Sequence, residues 1–320
     1  MDLDRVHPDL RGPVRRLPPL ALQYGWYRRL TRGAQRRFSR DAVGEGVRVE
    51  ELTTPDGVGV RLYRPAGTTA GVDGARPGLM WIHGGGLVIG APIQDDALCA
   101  GLVRATGAVI ASVDYRLAPE HPFPAGLDDS AAVWSWFLDS APGLGVDPGR
   151  IAVGGQSAGA GIAAALVQRL HDTAPEHRPV AQLLLCPMLD DRTAARTELD
   201  AIGHRVWTNR QNRYGWGAWL GSAPGSPTVP PYAVPARRDR LDGLPPAWIG
   251  VGDIDLFRAE DEDYARRLRE AGVPCEVLIV PGAPHGFESW GAQTPVARHF
   301  LDAAAAWLAG ALAADPLPGH

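Results

Sequence analysis

Short apolar runs alternate with longer stretches of helical periodicity through most of this chain. The runs are GLMWI at 78–82, AVIASV at 108–113, IAVG at 151–154, AQLLLC at 181–186, AWIGV at 247–251 and EVLIV at 276–280. None alternates apolar with polar, so each reads as a strand covered on both faces. Helical patterns separate several of them: Asp128 to Ser140, Ser157 to Asp172 and Leu256 to Ala271. Strand and helix in alternation predict an α/β fold, a mostly parallel sheet with helices on either side. Upstream, VRVEEL and VGVRLY flank Thr53-Thr-Pro-Asp-Gly57 and predict an antiparallel pair joined by a turn, bringing the sheet to about eight strands.

Two segments break this rhythm. Between about Met188 and Arg240 the chain carries Trp207, Tyr214, Trp216, Trp219 and many Gly and Pro residues. It reads as an insertion between strands, not a second domain. Residues 1–45 are rich in arginine. From Leu20 to Phe38, Tyr27, Leu30, Ala34 and Phe38 recur at helical spacing, with Arg28, Arg29, Arg32, Arg36 and Arg37 mostly on the other face. The pattern predicts an amphipathic helix lying on its own domain. The expected division is residues 46–187 and 241–320 as the core, with 1–45 and 188–240 above it. No internal repeat is visible.

Composition narrows the chemistry. With 320 residues, 45% of them hydrophobic, the chain can bury a large core. A net charge of -4 gives no reason to expect nucleic acid as a partner. Every one of the basic Lys and Arg positions is arginine, so chemistry that needs a lysine amine is excluded. Cys99, Cys186 and Cys275 are odd in number and far apart, showing neither metal spacing nor a disulfide framework. They read as buried small residues in a reducing, cytoplasmic setting. The opening MDLDRVHPDL does not read as a signal peptide, and no apolar run approaches the roughly 18 residues of a membrane span.

Four motifs carry chemistry. Gly155-Gln-Ser157-Ala-Gly159 follows the strand IAVG and opens a helical pattern, the setting in which a serine is pushed out at the carboxyl edge of a sheet. His83-Gly84-Gly85-Gly86 ends an earlier strand, where glycine amides can face a developing oxyanion. As a phosphate loop it fails, since no Gly-Lys-Ser/Thr occurs. Asp255 follows AWIGV and His285 follows EVLIV. Both therefore fall at carboxyl ends of strands, in the order Ser, Asp, His. Asp253 is a rival to Asp255 and is read as a turn residue.

These motifs resemble the hormone-sensitive-lipase-like esterases of the α/β-hydrolase superfamily, the bacterial family IV branch. Asp114-Tyr-Arg-Leu-Ala-Pro-Glu120, His121-Pro-Phe-Pro-Ala125, Asp255-Leu-Phe-Arg258 and His285-Gly-Phe287 add to the likeness, which runs from about Val47 to Ala306. The resemblance implies an α/β-hydrolase fold with a helical cap. It implies Ser157 as nucleophile, His285 as base and Asp255 as the acid that orients it. It assigns the oxyanion amides to Gly85, Gly86 and Ala158, with His83 and Gly84 supporting that loop. Trp207, Tyr214 and Trp216 are expected at the substrate pocket. Two departures stand out: Gln156 where the family often has Asp, and Ala160 where it often has Gly. Arg116, Asp114 and Glu120 are expected to tie the loop beside the site by ion pairs.

The resemblance implies a serine esterase acting on a small-molecule, short-to-medium acyl ester, with neither cofactor nor metal, no membrane span, and a homodimer as its oligomer. One alternative keeps the triad for a deacetylase, amidase or acyltransferase acting on a natural product. Another is a non-catalytic binding protein, as in the plant gibberellin receptors, where the catalytic histidine is lost; here His285 is intact.

Overall fold

The computed structural model describes residues 1–18, 21–35, 43–67 and 75–314. Helices α1 (Pro8–Arg15) and α2 (Gly25–Gln35) come first, followed by the antiparallel pair β1 (Val47–Thr53) and β2 (Gly59–Pro65). Then follow β3 (Arg76–Ile82), α3 (Asp96–Thr106), β4 (Val109–Asp114), α4 (Ala125–Leu144), β5 (Val146–Gln156), α5 (Ala158–Thr173) and β6 (Gln182–Leu185). Helices α6 (Asp191–Ala195) and α7 (Asn209–Leu220) occupy the insertion. The chain closes with β7 (Ala247–Gly252), α8 (Arg258–Glu270), β8 (Cys275–Val280), α9 (Phe287–Trp290) and α10 (Pro295–Ala313). The eight strands form one sheet in the order β1-β2-β4-β3-β5-β6-β7-β8. Pairing is antiparallel at β1–β2 and β2–β4 and parallel across the rest, as the uninterrupted apolar runs predict.

The sheet is covered twice. Leu79 and Trp81 of β3 pack with Leu102 and Val103 of α3 and Phe300 and Leu308 of α10. Met80 and Ile82, pointing the other way, pack with Trp134 and Phe137 of α4, Leu166 of α5 and Tyr264 of α8. Each fully buried side chain of this size contributes about 1.5–3 kcal/mol relative to exposure. Some polar groups in this core are paired: the Trp81 indole donates to Asp95 at 2.7 Å, and Arg61 donates two hydrogen bonds to the buried Asp96.

The amino-terminal residues sit at the carboxyl edge of the sheet. Val6, Leu10 and Val14 are buried in one cluster with Phe287, and the His7 amide donates to Gly282 O at 2.7 Å. Helix α2 corrects the amphipathic expectation. Two of its three arginines face inward while Arg29 is exposed: Arg28 is buried and donates to Leu22 O and to the Tyr214 hydroxyl. Arg32 donates to Val88 O, Ala118 O and Glu120. Leu30 and Trp26 face outward, 65% and 64% exposed. The surface beneath α2 offers carbonyl oxygens and a carboxylate, which need donors more than they need apolar cover, and a guanidinium supplies several donors at once. Leu20, Arg36, Arg37 and Phe38 lie outside the described residues.

The expected ion pairs of the neighbouring loop are also redistributed. Arg116 pairs with Asp129 of α4, and Glu120 takes Arg32. Arg32→Ala removes charge-assisted bonds of about 2 kcal/mol in sum. Amide exchange in residues 25–35 is therefore expected to accelerate about 30-fold, read by hydrogen exchange and mass spectrometry, while exchange in β3 to β6 stays unchanged.

Candidate active site

Strand β5 ends at Gln156, and α5 begins at Ala158. Ser157 between them adopts φ 54° and ψ -120°, a strained region for a side chain with a Cβ. The turn is clamped on both sides: Ser157 N donates to Leu185 O at 2.8 Å, and Met188 N donates to Ser157 O at 3.0 Å. Gly159 must be glycine, because a Cβ there would overlap the carbonyl oxygens of Ile82 and His83 at the end of β3.

Two further loops at the same sheet edge bring their side chains to Ser157. Its Oγ lies 2.8 Å from His285 Nε2, and His285 Nδ1 lies 2.8 Å from Asp255 Oδ2. All three residues are buried. The other oxygen of Asp255 accepts the Phe257 amide at 3.0 Å, which fixes the carboxylate. The Phe257 ring meets the imidazole edge-on at 5.0 Å. Asp253 does not join this chain: its Oδ1 accepts the Gly282 amide at 2.6 Å and ties the β7 loop to the β8 loop. Burial pulls the His285 pKa down. The charge and hydrogen bond of Asp255, with the charge of Glu288, outweigh that and hold it above 6.5.

The glycine loop lies against the serine turn. His83 Nδ1 is 2.8 Å from Gly84 O, its ring stacks on Tyr115 at 4.4 Å, and the Tyr115 hydroxyl donates to His83 O. Gly84 O also accepts from Gln94, whose own oxygen accepts from Gln35 of α2. The amides of Gly85 and Gly86 donate to no acceptor among the described residues. Gly86 has φ 60°, and a Cβ there would run into the ring of Trp207. That ring is also 6.2 Å from the imidazole of His285. Trp216 lines a narrow apolar slot of about 10 Å³ with Leu87, Ala158, Ile162 and Met188. Tyr214, expected beside these, accepts a hydrogen bond from Arg28 on α2.

Sequence reasoning missed a network behind the histidine. Gln156 Nε2 donates to Glu288 Oε1 and to Ser289 Oγ, each at 2.6 Å. The Cys186 thiol donates to the same Glu288 oxygen at 3.4 Å. Burial raises the Glu288 pKa, and the bond from Gln156 only partly offsets this. The available signal was position: Glu288 follows His285 by three residues. Cys186, Asp255 and His285 place ligand-type atoms within 4.8 Å of one another. They fit a metal poorly, because Nδ1 is engaged by Asp255 and burial pushes the Cys186 thiol far up from its ordinary range. A cavity of about 460 Å³ lies at the opposite edge, near Pro179, Leu244 and Trp307, remote from these groups.

The family described as the alpha/beta hydrolase fold matches residues 79–289. Carboxylic ester hydrolase LipN of Mycobacterium tuberculosis is 36% identical over 249 residues, 75% of this chain and 64% of that protein. Ethyl acetate hydrolase of Pseudomonas putida is 31% identical over 75% of each chain. The solved structure of a bacterial heroin esterase superposes with a TM-score of 0.89 at 33% identity, covering 98% of this chain and 99% of that one. The chain therefore belongs to the α/β-hydrolase family, in its hormone-sensitive-lipase-like branch of bacterial esterases.

The imidazole environment is open to direct measurement. The His285 ring is expected to titrate above 6.5, and Asp255→Asn is expected to lower that pKa, both followed by NMR of labelled imidazole. An unchanged titration in Asp255→Asn would show that the carboxylate does not control the ring.

Proposed function

We propose that Ser157, His285 and Asp255 are the triad through which this chain, a carboxylic ester hydrolase, cleaves short-to-medium acyl esters. The observation that carries the reading is the continuous buried chain from Ser157 Oγ to His285 Nε2 to Asp255 Oδ2, with both links at 2.8 Å. With Nδ1–H donated to Asp255, Nε2 is left to accept the serine proton. Ser157 Oγ attacks the ester carbonyl, and its proton passes to Nε2. The carbonyl oxygen, now negative, takes hydrogen bonds from the amides of Gly85, Gly86 and Ala158. His285 returns the proton to the leaving alkoxide as the C–O bond breaks. Water, deprotonated by the same nitrogen, then releases the acid and restores Ser157.

Residues 1–45 and 188–240 form the cap in this reading, with Trp207 and Trp216 as pocket walls and His83 and Gly84 supporting the oxyanion loop. No helix among the described residues is long and apolar enough to cross a membrane. We place the enzyme in the cytoplasm, where its three free buried cysteines stay reduced. A homodimer rests on the family resemblance alone.

A serine-directed organophosphate is expected to add once, at Ser157, as read by intact mass and peptide mapping; labelling at another serine refutes the nucleophile. Asp255→Asn is expected to lower kcat about ten-thousand-fold through the wrong imidazole tautomer, whereas Asp253→Asn keeps most of it. The base must be neutral to act. Since Asp255 and Glu288 raise its pKa from the ordinary imidazole value, kcat/KM should rise with pH through a correspondingly raised midpoint and then level off. EDTA should leave the rate unchanged.

The cap aromatics Trp207 and Trp216 narrow the acyl pocket in this reading. Across p-nitrophenyl esters of increasing length, kcat/KM is expected to peak within about two to eight carbons, each methylene adding at most about 0.8 kcal/mol until the space ends. A maximum at about twelve carbons or beyond, or interfacial activation, would favour a true lipase.

A further inference from the structure

Helix α7 presents one buried face to the reacting groups. Gly215 lies on the oxyanion loop, where an added Cβ would stand 2.7 Å from Gly86 O. Trp216 lines the slot beside Ala158. Asn212 stands one turn earlier on the same face and is fully buried. Trp207, whose ring covers Gly86 and borders His285, lies just before the amino terminus of the same helix, the end toward which helical side chains lean.

Several other polar side chains of α7 have at least one partner, although Asn209 Oδ1 has none. Asn209 Nδ2 donates to Arg196 O, Arg213 Nε to Ala194 O and Trp219 Nε1 to Ala233 O. Asn212 differs: neither its Oδ1 nor its Nδ2 has a hydrogen-bonding partner among the described residues. The indole N–H groups of Trp207 and Trp216, on residues 4% and 2% exposed, have none either. A leucine would fill the place of Asn212 without this penalty, and buried polar groups are retained where something pairs with them.

We propose that Asn212, with the indole N–H groups of Trp207 and Trp216, recognises a polar oxygen on the substrate, so that the ester carries an ether, hydroxyl or carbonyl oxygen close to the scissile bond. Two indole N–H groups and an amide NH2 against one amide oxygen make the wall mostly a donor, which selects an acceptor on the ligand. The inference rests on the esterase reading of Ser157. The acyl side and the alcohol side present the same chemistry to this wall.

The test uses pairs of esters that differ by one methylene replaced with oxygen. For the acyl side these are p-nitrophenyl methoxyacetate and p-nitrophenyl butyrate; for the alcohol side, 2-methoxyethyl acetate and butyl acetate. Each kcat/KM is divided by the rate of hydroxide-catalysed hydrolysis, which removes intrinsic reactivity. The wild-type enzyme is expected to favour the oxygen-bearing partner about 10-fold in at least one pair. Asn212→Leu is expected to bring that ratio close to one. If Asn212→Leu does not fold, Trp216→Phe keeps the ring, loses the N–H and should lower the same ratio. A wild-type ratio near one in both pairs overturns the proposal, as does a ratio unchanged in a folded variant. Steady turnover of the alkyl esters in those cases leaves the esterase reading standing; no turnover of any ester defeats both.

Discussion

The backbone of Ser157, held at φ 54° and ψ -120°, is the constraint from which the rest of the site follows. A serine in that conformation costs about 1–3 kcal/mol, and it persists only where its surroundings over-determine it. Here they do. Its amide donates to Leu185 at the end of β6, and its carbonyl accepts from Met188 and from Gly161 of α5. Gly159 presses against the last carbonyls of β3. The bonds to β6 and the contact with β3 flank the turn from both sides of β5. The contact that needs glycine at 159 also brings His83 and the glycine loop beside the serine. Moving the turn would therefore move the glycine loop with it.

That loop is held from outside as well. Arg32 of α2 reaches Val88 O and Ala118 O, and Gln35 accepts the Gly90 amide and donates to Gln94, which donates to Gly84 O. The helix thus acts on the site through carbonyl oxygens and amides of a loop that has little regular hydrogen bonding of its own. Arginine suits this use, since a planar guanidinium can satisfy several acceptors at once and its stem covers apolar surface. Trp26 and Leu30 turn outward while Arg28 and Arg32 turn inward, and Tyr27 keeps part of the apolar side against the core.

The difference between α2 and the sheet explains what could be read from the sequence. GLMWI or AQLLLC has one environment that suits it, a strand covered on both sides, so periodicity alone places it. The serine turn was legible because a cramped backbone demands small residues at fixed offsets. Asp255 and His285 were legible because strand ends are. Helix α2 was legible as a helix and illegible in orientation, since periodicity names two faces but not the partner surface, and that surface is built from residues 88–120. Helix α1 left no clear signal because Val6, Leu10 and Val14 gain their cover from Phe287. Arg116 and Glu120 carried charge enough to predict ion pairs, yet their partners Asp129 and Arg32 are brought close only by the fold.

Gln156 shows how such a departure is absorbed. A carboxylate at this position would lie within hydrogen-bond distance of the buried Glu288, where Gln156 now stands 2.6 Å away. Two buried carboxylates that close would have to share a proton. An amide removes the conflict, because its NH2 donates to Glu288 and to Ser289 together. Glu288 can then sit in the short helix directly after the His285 loop, with its charge acting on the imidazole from that side as Asp255 acts from the other. The substitution thus leaves the hydrogen-bonded chain of Ser157, His285 and Asp255 in place.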